Sequence, residues 1–99
     1  MSIDVTFNPA YTKGVTVAPG TVSASSTIGD GSKSLCLTNL GSFVVYVRVG
    51  LSGITATAAD YPVLPLTQIS ISKDQDATHV AYVTASGTGS LHILPGEGF

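Results

Sequence analysis

The chain has 99 residues, 43% of them hydrophobic and only 10% charged, with a formal net charge of −2 at pH 7. Its length accommodates a single domain, residues 1–99, and high apolar content with low net charge excludes a disordered chain. The four basic residues, Lys13, Lys33, Arg48 and Lys73, are dispersed, which argues against a nucleic-acid face, and the longest apolar run, 43–47, is far short of the ~20 residues a membrane helix needs.

At the start, Met1-Ser2-Ile3-Asp4 has neither the basic nor the apolar stretch of a secretory signal, so synthesis and folding in a cytoplasm are expected. No window carries apolar residues at helical spacing, and β-branched residues and glycines interrupt every candidate helix. Strand patterns fit throughout. Ile3, Val5 and Phe7 alternate with Asp4 and Thr6 up to a turn at Asn8-Pro9. Val15 and Val17 flank Thr16, and Pro19-Gly20 leads into a weaker strand over 21–25. Gly29-Asp30-Gly31 is a tight-turn signal, because Asp-Gly tolerates the positive φ that hairpin turns demand.

A strand is expected over 33–38, then a connection through Asn39-Leu40-Gly41-Ser42 into 43–49, the most β-prone run of the chain. Apolar residues on both faces of that run mark a central strand covered on both sides. The segment 51–65 reads as a long loop with short β pieces, since Thr55, Thr57 and Pro62 oppose the helical leaning of Ala56, Ala58 and Ala59. Ile69 and Ile71 alternate with serines, and Lys73-Asp74-Gln75-Asp76 reads as a hairpin connection. A last hairpin is expected to join 78–85 to 89–94 through Ser86-Gly87-Thr88, leaving 95–99 as a tail. The expected fold is all-β, a seven- or eight-stranded antiparallel sandwich or jelly-roll-like barrel.

The chemistry-bearing residues form no catalytic pattern. In Gly29-Asp30-Gly31-Ser32-Lys33-Ser34 a serine precedes the lysine and a strand follows it, whereas a phosphate loop requires glycine there and then a helix. Asp74 and Asp76 lack the remaining ligands of a calcium loop. Pairing across the expected last hairpin places His79 and His92 on one face but offset by about 7 Å, too far to share a metal without further ligands. Cys36, the single cysteine, lies between Leu35 and Leu37 as a packed thiol. No Gly-x-Ser-x-Gly elbow occurs. Neither catalytic residues, nor a cofactor, nor a metal site is expected.

The scarcity of charge carries the most information. Outward positions of a two-layer β domain usually carry charged residues, and here they carry Val, Tyr, Ala, Thr and Ser, which points to burial against other protein. Val44, Tyr46 and Arg48 share one face of the central strand and Val45, Val47 and Val49 the other. The first trio is the candidate interface, with Arg48 able to lay its stem on apolar surface and anchor a partner.

Four groups of segments then bear on family. They are Leu37-Thr38-Asn39-Leu40-Gly41-Ser42, Val45-Tyr46-Val47-Arg48-Val49-Gly50, Ala56-Thr57-Ala58-Ala59-Asp60, and Val80-Ala81-Tyr82-Val83-Thr84-Ala85-Ser86-Gly87 with Gly96-Glu97-Gly98. With these, the stretch 36–98 resembles a group of small tailed-bacteriophage structural proteins. That resemblance implies a non-enzymatic virion protein, made in the host bacterial cytoplasm. It would decorate or cement the capsid where capsid subunits meet, with itself, as a homotrimer, and the major capsid protein as partners. The alternative is a receptor- or carbohydrate-binding module of a spike or tail fibre, in which Tyr11, Tyr46, Tyr61 or Tyr82 would stack on sugar rings.

Overall fold

The computed structural model describes residues 8–9, 14–28, 33–73 and 76–97. They form strands β1 (Asn8–Pro9), β2 (Val15–Val17), β3 (Ala24–Thr27), β4 (Ser34–Asn39), β5 (Val45–Gly50), β6 (Tyr61–Val63), β7 (Gln68–Ser72), β8 (His79–Thr84) and β9 (Leu91–Glu97), with no helix among the described residues. One sheet has the order β1-β9-β4-β7, with β2 also paired to β9, and the other the order β3-β8-β5-β6. Every pairing is antiparallel. Apart from the two-residue β1, the eight strands run first-eighth-third-sixth in one sheet and second-seventh-fourth-fifth in the other. That order is the winding of a jelly roll, which resolves the two architectures left open by the sequence.

Period-two patterning builds the core. Leu35 and Leu37 of β4 and Leu91 and Ile93 of β9 face Val45 and Val47 of β5, Val63 of β6, and Val80 and Tyr82 of β8, all buried in one cluster with Ile28. Val15, Val17, Val49, Ile69 and Ile71 close its margins. Each such side chain removed from water contributes about 1.5–3 kcal/mol. The single polar group of Tyr82 is satisfied inside, its hydroxyl 2.6 Å from Ser26 Oγ.

Several expected turns prove to be crossings between sheets. β8 and β9 lie in different sheets and do not pair, so 85–90 carries the chain across the core and forms no hairpin. β7 and β8 are likewise in different sheets, which removes the hairpin expected at 73–76. So are β3 and β4, while Gly29-Asp30-Gly31 between them lies outside the described residues, as does the expected strand 3–7. Turn residues set the reversal of the chain but not the layer it returns to. That layer is chosen by which apolar faces must meet across the core.

Two further corrections concern prolines. Asn8-Pro9, read as a turn, is β1, opposite Glu97 and Gly96. Pro95 and Gly96, read as tail, are buried within β9. The outer edge of β9 is registered to β2 up to Ile93 and to β1 from Gly96 on. Pro95 thus falls where one partner strand gives way to the next, a tolerable place for a residue without an N–H.

Asn39 ends β4 with its side chain fully buried. Its Nδ2 donates to Phe43 O at 2.8 Å and Val63 O at 2.9 Å, and its Oδ1 accepts from Gly41 N at 3.0 Å. Replacing Asn39 by Ala leaves the buried Val63 carbonyl, the part-buried Phe43 carbonyl and one amide without that partner, so Asn39→Ala is expected to destabilise the domain by about 3 kcal/mol. Urea unfolding would read this as a lower midpoint at unchanged slope.

Candidate functional site

Tyr46 and Arg48 lie on the outer side of the β3-β8-β5-β6 sheet, registered to Val83 and Ala81, and Val44 lies just before β5. Much of this face is covered by the chain itself. The connection 51–60 between β5 and β6 folds back over it, packing Ile54 and Ala56 against Ala81, Val83 and Tyr46 as a second, smaller apolar cluster. Ala56 N donates to Ser23 Oγ at 2.8 Å, which fixes this strap to the connection before β3. Arg48, 53% exposed, places Nε and Nη2 each 2.9 Å from Asp60 Oδ1. The guanidinium expected to reach a partner therefore holds the strap.

Between strap and sheet lies a hollow of about 420 Å³, lined by Thr21, Ser23, Tyr46, Thr55, Thr57 and Thr84 and by alanines and Val83. Val44 lines an adjoining hollow with Phe43 and Ala85. The turn at the end of the strap is self-capped: Asp60 Oδ2 accepts from Thr57 N at 2.7 Å, and Asp60 N donates to Thr57 O at 3.0 Å. The Thr57 amide holds Asp60 below its ordinary carboxylate pKa, with Arg48 adding to the effect against partial desolvation.

A different surface stands out at one end of the sandwich. The connections 18–23, 40–44, 64–67 and 85–90 converge there through backbone hydrogen bonds. Thr84 N donates to Gly20 O and Gly89 N to Pro19 O, each at 2.8 Å. Leu40 N reaches Ser90 O and Asn39 N reaches Thr67 O, again at 2.8 Å. Gly87 sits beneath the Phe43 ring in a left-handed conformation (φ 74°), and a Cβ there would lie 2.6 Å from Phe43 Cζ.

These four connections contain no Asp, Glu, Lys, Arg or His. They expose Val22 (80%), Leu40 (54%), Phe43 (39%), Leu64 (57%) and Leu66 (81%). Lys33, Arg48, Asp60, Lys73, Asp76 and Glu97, the charged positions among the described residues, all lie on the strands or on the connections of the opposite end. Sequence reasoning from strand faces passed over this end. The available signal was large apolar residues set among the Gly, Pro and Ser of turns, where polar residues are usual.

The remaining expected chemistry is dispersed. His79 is on β8 in one sheet and His92 on β9 in the other, so they share no face. Thr27 and Thr78 hydroxyls lie within hydrogen-bonding distance of His79, and that of Thr16 within hydrogen-bonding distance of His92. No group of three metal-ligating side chains occurs among the described residues, and Asp74 lies outside them. Cys36 is buried. Of the tyrosines, Tyr82 is in the core, Tyr46 is partly covered by the strap, Tyr61 is exposed, and Tyr11 lies outside the described residues. Comparison with protein-family models and with curated proteins found no match.

Because Asp60 is lowered in the folded chain, its contribution is complete above the unfolded value near 3.8 and is lost as pH falls through the folded value. The Thr57 amide resonance, followed by NMR, should titrate with a midpoint below 3.8. Asp60→Asn should lower Tm at neutral pH, with the difference from the wild type narrowing in acid.

Proposed function

We propose that this chain is a non-enzymatic structural protein of a tailed-bacteriophage virion, a homotrimeric capsid-decorating or cement subunit that binds where major capsid protein subunits meet. The observation that carries the reading is the charge-free, apolar end of a tightly tied jelly roll, a surface suited to burial against protein. A subunit bound across the seams of a shell stabilises it by mass action, since it binds the assembled state alone. Jelly rolls serve coat proteins and sugar-binding domains alike, so the surface and not the fold argues the role.

The segments that carry the phage resemblance support the same reading. They comprise the end of β4 with its turn, β5, the second half of the strap, β8 with the turn after it, and Gly96-Glu97 at the end of β9, with Gly98 outside the described residues. Together these make much of the strap-covered face and parts of two of the four connections at the apolar end, with Leu40 among its exposed residues. A second reading, a saccharide-binding module of a spike or fibre, is favoured by the hollow beside Tyr46, whose lining includes several Thr and Ser residues.

The deciding experiment is mass spectrometry and electron microscopy of particles made with and without the protein. Copies at fixed positions on the shell, and shells that rupture at lower temperature in their absence, are the expected result. Particles that lack the protein would overturn the reading, and reproducible glycan-array binding without capsid co-sedimentation would favour the saccharide module.

A further inference from the structure

We infer that the strap 51–60 is a hinged cover latched by Asp60, which lifts from the outer face of the β3-β8-β5-β6 sheet as one unit while the sandwich beneath it stays folded. Such a cover is independent of any role in a virion.

The strap adds little to the core. The main cluster takes Ile28 and side chains from β2, β4, β5, β6, β7, β8 and β9, and none from 51–60. Of the ten strap residues Ala56 alone is buried, Ile54 and Asp60 are partly covered, and the other seven are exposed. Ile54 and Ala56 pack on Ala81, Val83 and Tyr46 in a cluster separate from the main one. Beside that contact the hollow of about 420 Å³ lies between 55–58 and the side chains of Tyr46 and Val83. A segment with so few buried contacts belongs to the low-stability end of a fold, where local opening precedes global unfolding.

Its polar ties run through one carboxylate and one hydroxyl. Ala56 N donates to Ser23 Oγ at 2.8 Å, and Arg48 Nε and Nη2 each donate to Asp60 Oδ1 at 2.9 Å. The Arg48 side chain is 53% exposed, so water screens the ion pair. Asp60 grips both sides of the joint: Oδ1 takes the guanidinium of β5, and Oδ2 takes Thr57 N, at 2.7 Å, from within the strap. With Ala59 N donating to Thr57 Oγ1 at 3.2 Å, the turn 57–60 is closed on itself and follows Asp60. At the other end Gly50 closes β5, and Gly53 has φ of 91° with open space where a Cβ would stand. Hinge residues absorb large changes of φ and ψ, which glycine does without a steric penalty. Opening takes Ile54 and Ala56 away and uncovers Tyr46, Ala81 and Val83 beside a freed Arg48, an apolar strip edged by a cation.

The test is native-state hydrogen exchange, followed by NMR on the purified full chain. The amides of Ala56 and Thr57 report the strap, and those of Val47 and Val80, on the central strands β5 and β8, report the sandwich. In the wild type Ala56 and Thr57 should share one protection factor, at least ~100-fold below that of Val47 and Val80, as a sub-global opening requires. Asp60→Asn should speed exchange at Ala56 several-fold, and Ser23→Ala should do the same at Thr57, although neither substitution removes the acceptor of the amide it affects. Asn39→Ala, which weakens the sandwich away from the strap, should speed Val47 and Val80 and leave Ala56 and Thr57 unchanged. Strap amides as protected as Val47 and Val80 would overturn the inference. So would Ala56 and Thr57 amides that respond only to the loss of their own acceptors, or an Asn39→Ala chain in which all four amides accelerate together. If Asn39→Ala does not fold, the wild-type protection factors and the two strap variants decide.

Discussion

A single buried amide organises the end of the molecule on which the functional reading rests. Asn39 links two connections and the end of β6 at once: its side chain bonds the main chain at Gly41, Phe43 and Val63, while its backbone N–H reaches Thr67. Buried amides are stabilising only when their donors and acceptors are matched, and here the β4–β5 and β6–β7 turns supply the matches. With those turns fixed, Phe43 can lie over Gly87 and Leu66 can be held outward. Were the amide missing, the turns would gain freedom, and the apolar surface would cease to be a defined shape.

Much of the strand content was legible because alternation is a local property. The runs at 15–17, 45–50 and 68–72 show it, with aliphatic residues two apart and Thr, Ser, Tyr or Arg between, whereas 79–84 is apolar on both faces. The pairing of strands was less legible, since the sequence around Ser86-Gly87-Thr88 specifies a reversal equally well for a hairpin or for a passage to the opposite sheet. Pro95 illustrates a second limit: a proline is a reliable marker of a strand end only where no change of partner accommodates it.

The shortage of charge has two physical origins, which the sequence does not separate. Part of it is internal, because the strap 51–60 covers Ala81, Val83 and Tyr46, leaving these outward positions apolar for reasons of self-packing. Arg48 belongs to this part, through Asp60. The rest sits in the turns at the apolar end, where no segment among the described residues lies over Val22, Leu64 or Leu66. A face-by-face reading of the central strand finds the first origin and misses the second, which only the convergence of four distant turns brings together.

The placement of β9 bears on how the chain reaches this structure. It is the last strand of the described residues, yet it lies between β4 and the β1/β2 edge, so one sheet is assembled upon it. β2 and its partner are separated by most of the sequence, and among the described residues β5–β6 is the one pair of successive strands that forms a hairpin. Loop closure must therefore precede most of the stabilising contacts, which places folding in the slow, millisecond-to-second regime typical of non-local β topologies. During synthesis the early strands must wait, with apolar faces open, until β9 has left the ribosome. Holding chaperones are consequently expected to engage the nascent protein more than its small size alone would require.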